Sequence, residues 1–238
     1  MIDRVRLPLT VKVLIALADL KGKVGNSARR KLLRRLRKRS LLDFEQRLAT
    51  LGPRDVCIDL GANMGVVTEK LAATGAEVHA YEPDPYCFDL LTKRFADKEN
   101  VHLHNQAVSA TAGSLLLQRT RDFEIDPEIQ SQSSSIIRSN DAIYDPEKSI
   151  KVEVVAFNDV IRDLHRYVAL IKMDIEGSEF EILDCILDDY ANGCVLPIGA
   201  LFIETHERHM PNRFDLVKSV RKANWSGLLP YRIDTYWP

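Results

Sequence analysis

The stretch from Val56 to Thr68 constrains the fold most, because it predicts a buried strand, a tight turn and a helix start in immediate succession. Its first five residues are apolar except for Asp59. Gly61 permits a backbone conformation that other residues resist, and Gly65 allows the following helix to lie close to the strand. A carboxylate is expensive to bury alone, so Asp59 predicts a polar ligand or backbone N–H groups beside the strand end.

The spacing of this turn distinguishes between kinds of nucleotide cofactor. A dinucleotide turn has the pattern G-x-G-x-x-G, whose middle glycine lets the backbone approach a pyrophosphate. Asn63 stands at that middle position, which favours S-adenosylmethionine over NAD because the former has no pyrophosphate. Glu82 closes the next strand, where a carboxylate can accept hydrogen bonds from ribose hydroxyls. The turn and the two acids together predict an adenosine site.

Length and composition predict one α/β core in a cytoplasmic protein. The chain has 238 residues, 45% of them apolar, which is enough for a single substantial domain. Its four cysteines show no C-x-x-C pairing and predict reduced thiols, as in a cytosolic protein. We expect neither a signal peptide nor a membrane-spanning helix, since the longest early apolar run, Val13 to Ala18, is too short to cross a bilayer.

The charge is distributed unevenly along the chain. Residues 1–40 carry a net charge of +11 and the remaining residues −12, although the whole chain has only −1. We therefore divide it into a basic N-terminal helical extension, residues 1–50, and a cofactor-binding domain, residues 51–238. Within residues 29–39, three leucines share one helical face, namely Leu32, Leu33 and Leu36. The commoner explanation is that they dock on the domain while the charges are solvated; the alternatives are an anionic membrane surface, which would make the protein peripheral, a nucleic acid or a partner.

Strand and helix patterns then alternate. Strands are predicted at 56–60, 77–82 and 101–108, with helices from about Gly65 to Ala73 and from Pro85, capped by Asp84, to about Ala96. Such an order predicts a doubly wound, mostly parallel sheet with ligands at the carboxyl ends of its strands. Residues 118–149 are long and polar and predict a substrate-side lid or a mobile insertion. An edge strand at 151–155 and a helix capped by Asn158 follow.

A second informative segment runs from Val168 to Leu183. Its apolar first half predicts a central strand, and Gly177 marks the turn. Ser178 is a possible helix cap, with Glu181 as its capping-box partner. Asp174 and Glu176 follow the strand and predict carboxylates of a functional site. An acid at the end of a buried strand is costly unless a ligand or partner compensates its charge.

Four motifs in these segments resemble those of a known family. They are Ile58–Gly65, Tyr81–Pro85, Asn105–Ser109 and Ile171–Glu179. They are similar to the FkbM family of S-adenosylmethionine-dependent methyltransferases, and the last motif is the specific one. The resemblance implies a class I methyltransferase (Rossmann-like) fold and O-methylation of a hydroxyl on a sugar, glycan or secondary metabolite. The basic N-terminal segment is not part of the shared pattern.

The resemblance also implies roles for individual residues. Those that line the methionine part of the cofactor are Asp59, Gly61, Asn63 and Gly65. Glu82 holds the ribose, and Asn105 and Ala107 lie near the adenine.

Methyl transfer to a hydroxyl requires alignment of the acceptor and removal of its proton. His206 or Asp174 is the candidate base, and Glu176 is the candidate group that orients the acceptor. His206 is equally explained as a turn histidine. A divalent cation held by Asp174, Glu176 and Glu204 is a further possibility, but their spacing is not diagnostic of a metal site, and we predict none.

Two other functions remain compatible with the sequence. The first is an RNA methyltransferase that grips phosphates with the basic segment. Nucleic acid is not favoured, because methylation of base nitrogens commonly uses an Asn/Asp-Pro-Pro-aromatic turn, whereas this chain has Asp174-Ile-Glu-Gly177. The second is a non-catalytic module with a cofactor-binding fold. The preferred prediction is an O-methyltransferase with a small-molecule or glycan acceptor.

Overall fold

A computed structural model describes residues 10, 13–14, 17, 22–125, 144–175, 177–205, 216–217, 219–221 and 229–237. Two of the predicted catalytic residues, Glu176 and His206, lie outside these ranges, as does most of the predicted lid.

The described elements alternate as the sequence predicts. In chain order they are α1 (Lys23–Leu48), β1 (Val56–Leu60), α2 (Val66–Ala72), β2 (Glu77–Tyr81), α3 (Pro85–Arg94), β3 (Val101–His104), β4 (Ala107–Ser109), β5 (Gly113–Thr120), β6 (Tyr144–Ala156), α4 (Phe157–Asp163), β7 (Val168–Met173), α5 (Glu179–Ala191), β8 (Ile198–Ile203) and β9 (Arg232–Asp234).

The main sheet has six strands in the order β3-β2-β1-β7-β8-β9, and every neighbouring pair is parallel. Because β1 to β3 extend to one side and β7 to β9 to the other, the order reverses between β1 and β7. Ligands of doubly wound sheets bind outside the carboxyl ends of the strands at such a reversal. The predicted α/β class is therefore confirmed.

Apolar residues of α1 and α2 cover one face of this sheet, and those of α4 and α5 cover the other. Phe44 of α1 is fully buried with Leu71, Phe202 and Trp237. On the opposite face Ile161 and Ile182 pack on strand residues of β1, β7 and β8. Strands buried on both faces have continuous apolar sequences, which explains why the sequence predicts β1 and β7.

Three strand predictions need correction. The strand expected at 101–108 is two strands, because Asn105 turns its side chain amide to the carbonyl oxygens of Glu82 and Pro83, at 2.9 and 3.3 Å, and the chain leaves the main sheet there. The expected edge strand at 151–155 is the middle of β6, which pairs with β4 on one side and β5 on the other. The polar region expected at 118–149 begins and ends within strands, since β5 runs to Thr120 and β6 starts at Tyr144.

Of the three predicted helix caps, Asp84, Asn158 and Ser178, the structure contains the first. Asp84 caps α3 as expected, accepting a hydrogen bond of 2.9 Å from the backbone N–H of Tyr86. Asn158 does not cap α4, because it lies inside the helix and donates to Asp189 at 2.7 Å. Ser178 precedes α5 but makes no capping hydrogen bond. Glu179, the first residue of α5, instead holds the preceding turn, because its carboxylate accepts from the backbone N–H groups of Ile175 and Gly177, at 3.2 and 2.8 Å.

The basic residues 29–39 lie within one long helix, α1, whose last part packs in the core. Of the three leucines on its predicted face, Leu36 is buried, Leu32 is half-buried and Leu33 is 39% exposed. Nearly all the arginines and lysines of residues 29–39 are exposed. Contact of this segment with an anionic membrane or a partner stays a prediction. Among the described residues, no helix is long and apolar enough to cross a bilayer.

Candidate cofactor site

The turn after β1 packs directly on the end of β7. Gly61 has a φ of +75°, and a Cβ placed on it would lie 1.8 Å from the carbonyl oxygen of Asp174. The backbone N–H groups of Gly61 and Ala62 both donate to the carbonyl of Tyr81, each at 3.0 Å. Glycine is therefore required here for conformation and for space, and the ends of β1, β2 and β7 meet at one point.

Glu82 joins the loops that follow β1 and β2. Its Oε2 accepts from the backbone N–H of Asn63, and its Oε1 accepts from that of Asp84, both at 2.8 Å. Asn63 has a φ of +49°, a left-handed conformation that asparagine tolerates well. Burial raises the pKa of Glu82 to about 7. A carboxylate has about four acceptor positions, so two remain for a ligand.

Other predicted cofactor residues have clear structural contacts. Asn105 supports the backbone of Glu82 and Pro83, as described above, and thus shapes the loop that carries the carboxylate. Ala107 is buried in the small core of the three-stranded sheet. Contact of these two residues with an adenine stays a prediction.

Gly65 serves a different contact from the one expected. A Cβ on Gly65 would lie 2.6 Å from Phe95 and 2.8 Å from Leu91. Gly65 therefore allows α2 to begin close to the end of α3, and not close to a strand as predicted. Its φ of +79° also favours glycine.

Lys172 is the residue that the sequence analysis missed. It lies on β7 directly beside Asp59 of β1 and is only 5% exposed. Its Nζ donates to the carbonyl of Gly61 at 2.7 Å and lies 3.4 Å from Asp59 Oδ1 and 3.9 Å from Asp174 Oδ2. A lysine in an apolar strand, two residues before an acid and hence on the same face, is the signal that would have revealed it.

Lys172 and Thr68 stabilise the buried carboxylate of Asp59. The carboxylate of Asp59 is fully buried, and its Oδ2 accepts from the hydroxyl of Thr68 on α2 at 2.7 Å. Burial alone would lower the pKa of Lys172, but the carboxylates of Asp59 and Asp174 outweigh burial and raise the pKa above its ordinary value. Lys172 therefore stays protonated and ties β1, its turn and β7 together.

Asp174 is the more accessible carboxylate of this group, with 29% of its side chain exposed. Its backbone N–H donates to the carbonyl of Leu60, which fixes it at the end of β7. Glu204 is placed similarly after β8, where its N–H donates to Met173. Within the described part of the chain, neither acid belongs to a group of three ligands close enough to hold a metal ion.

Among the described residues at this edge of the sheet, carboxylates outnumber cations. Asp59, Asp174 and Glu82 lie around the ends of three adjacent strands, with one buried lysine among them. This arrangement suits a cationic ligand with hydroxyl donors, and it disfavours a phosphate group.

Comparison with known proteins agrees with this fold and these motifs. The Methyltransferase FkbM domain matches residues 59–223, and the chain belongs to the FkbM methyltransferase family. Methyltransferase sdnD of Sordaria araneosa is 22% identical, over 60% of this chain and 64% of its own length.

A shorter similarity links the chain to ribosomal RNA small subunit methyltransferase A. The proteins of Thermotoga maritima and Thermotoga neapolitana are each 46% identical over 55 residues, which is 23% of this chain. The match spans about a fifth of the length of these relatives, 20% and 21%.

Proposed function

We propose that this chain is an S-adenosylmethionine-dependent O-methyltransferase that acts on a hydroxyl of a sugar, glycan or secondary metabolite. The observation that carries the proposal is the convergence of Asp59, Glu82 and Asp174 at the carboxyl edge of the sheet, with Lys172 between Asp59 and Asp174. Membership of the FkbM family supports methyl transfer.

The residues present fit such a cofactor. Glu82 is anchored by two backbone N–H groups and would accept hydrogen bonds from the ribose hydroxyls with its remaining lone pairs. The backbone from Gly61 to Gly65 would face the methionine part. Asp59 is fully buried and acts indirectly, because it holds Lys172 beneath this turn. The excess of negative charge would favour a positively charged sulfur over a pyrophosphate.

We assign the deprotonation of the acceptor hydroxyl to Asp174. The cofactor, when bound, supplies a methyl group that its sulfonium already activates, so the protein must orient the acceptor hydroxyl and take its proton. The side chain of Asp174 is part-exposed, and its backbone lies against the turn at Gly61, so its carboxylate is our candidate for the group that meets the acceptor. Glu176 and His206, outside the described residues, remain candidates for the same step.

Substitution of Asp174 tests the proposal. Methyl transfer from labelled cofactor would be measured on sugar, lipid-linked and polyketide hydroxyls and on a structured RNA. Asp174→Asn should bind the cofactor within about threefold of the unmodified protein but lose about 10²- to 10⁴-fold in kcat, the usual contribution of a general base. Asp97→Asn, at an exposed acid in the turn before β3, is the matched control and should be fully active. Full activity of Asp174→Asn would contradict the assignment.

RNA is the second candidate acceptor. Two observations favour it: the short similarity to ribosomal RNA methyltransferases, and the exposed basic side chains of residues 29–39. Labelling of the RNA alone, lost at raised salt and on neutralising that basic segment, would select this function over the glycan-like one.

A further inference from the structure

Three histidines and a glutamate lie together on one face of β2 and β3. Glu77 and His79 alternate on β2, while His102 and His104 alternate on β3, and the strand register sets His79 beside His102. The rings are stacked: the centroid of His79 lies 4.8 Å from that of His102 and 5.5 Å from that of His104. The residues between them face the other way into the apolar core; they are Val78, Ala80, Val101 and Leu103.

Three ligand atoms of this group converge. Glu77 Oε1 lies 3.0 Å from His79 Nε2 and 3.9 Å from His102 Nε2, and all three atoms lie within 4.8 Å of one another. Ligands of a tetrahedral zinc ion at about 2.0–2.1 Å are themselves about 3.3 Å apart, so small side-chain rotations suffice to enclose an ion.

We propose that Glu77, His79 and His102 form a binding site for a divalent transition-metal ion, with Zn²⁺ as the best fit. Two imidazoles and one carboxylate are a common zinc ligand set, and they leave the fourth position to water. The side chain of His102 is 47% exposed, so an ion can enter from solvent and the open position stays accessible.

The residues around the three ligands fit this role. Arg166 donates to the other oxygen of Glu77, Oε2, and thereby orients the carboxylate with Oε1 toward the imidazoles. Its second nitrogen donates to the carbonyl of Arg54 at 3.1 Å, which fixes the guanidinium. Ligating carboxylates and histidines in metal sites usually have such outer hydrogen bonds, which hold them in the binding orientation.

His104 supplies the outer hydrogen bond for His79. Its Nε2 lies 3.2 Å from His79 Nδ1. With a metal bound, His79 donates its Nδ1–H to His104 and presents the lone pair of Nε2 to the ion. Without metal, His104 donates to Nδ1 and His79 donates its Nε2–H to Glu77. Both arrangements keep the hydrogen bond between His79 and His104, and the ion replaces the one between His79 and Glu77, so it can bind and leave without rearranging the strands.

The site is separate from the proposed cofactor crevice. Glu77 opens β2, whereas Glu82 follows its last residue, and the five residue steps between them span about 16 Å. A metal here would join the edge strand β3 to β2. It would therefore stabilise this end of the sheet without entering the methyl transfer step.

Zinc titration of the tag-free full chain tests the proposal. The protein, stripped with a chelator, would compete for Zn²⁺ with a chromophoric indicator, and bound zinc would be counted after dialysis by mass spectrometry. We expect one Zn²⁺ per chain, with affinity at least about tenfold weaker in His102→Asn and in Glu77→Gln. His165→Asn changes an exposed histidine with a φ of +48°, which asparagine tolerates, and should bind zinc like the unmodified protein.

Binding of Co²⁺ provides a second readout, because its visible absorption reports the coordination geometry. Circular dichroism of each variant would establish that it is folded. The proposal is overturned if the unmodified chain binds no zinc, or if His102→Asn binds it with unchanged affinity, which would place the ion elsewhere.

Discussion

Replacing Lys172 with methionine is expected to lower the free energy of unfolding by about 3–5 kcal/mol, the usual cost of removing one partner of a buried ion pair. The substitution leaves Asp59 fully buried with the Thr68 hydroxyl as its one side-chain partner among the described residues, and it removes the hydrogen bond to the carbonyl of Gly61. Methionine keeps most of the volume of the side chain, so little of the loss should come from packing. Urea unfolding followed by circular dichroism measures the change.

The matched control removes the charge of Asp59 as well. In Asp59→Asn with Lys172→Met, the fully buried residue 59 no longer carries an uncompensated charge, so at least half of the lost stability should return. If Lys172→Met costs less than about 1 kcal/mol, or if the double variant is no more stable than the single one, the ion pair is not what holds β1 to β7.

Alanine at Gly61 is expected to cost about 3 kcal/mol or more, or to prevent folding. The strain of a left-handed alanine accounts for about 1–2 kcal/mol. The remainder comes from its Cβ, which would lie 1.8 Å from the carbonyl oxygen of Asp174 and must displace the backbone of one of the two strand ends.

Substitution of Gly193 measures the conformational strain without the steric contact. Its φ is +78°, close to that of Gly61, but a Cβ added to it meets no atom within 4 Å. Gly193→Ala should therefore lose only about 1–2 kcal/mol. Equal losses in the two variants, measured by urea unfolding, would contradict the close contact of the β1 turn with Asp174.

The parallel core could be predicted from the sequence because residues close together in the chain mark each of its strands and helix starts. β1, β2, β7 and the helix start at Asp84 are each marked by an apolar run or a capping residue within a few positions. The glycine turn and the acids that follow the strands then meet by topology alone, since parallel strands bring their carboxyl ends to one edge.

The strand pairing of the second sheet could not be predicted in this way, although the strand expected at 151–155 lies within β6. β5 and β6 pair across a separation that makes Gly113 the partner of Val154, and β5 shows four exposed residues in a row before its first buried one. Neither feature gives a period of two. Lys172 was overlooked for a related reason: its role depends on the register that sets it beside Asp59, and register is a property of the paired strands rather than of either segment.

The most direct measurement of the central claim is a calorimetric titration of S-adenosylmethionine at pH 6 and pH 8 into the unmodified chain and into Glu82→Gln. Because burial raises the pKa of Glu82 to about 7, its carboxylate is mostly protonated at pH 6 and mostly ionised at pH 8. Only the ionised form keeps both of its remaining lone pairs available to the ribose hydroxyls, so we expect one cofactor per chain and about tenfold tighter binding at pH 8. Glu82→Gln should bind at least tenfold more weakly at pH 8 and show a flatter pH profile. Absence of binding to the unmodified chain, or equal affinity and pH dependence in the two proteins, would contradict a cofactor site at this edge of the sheet.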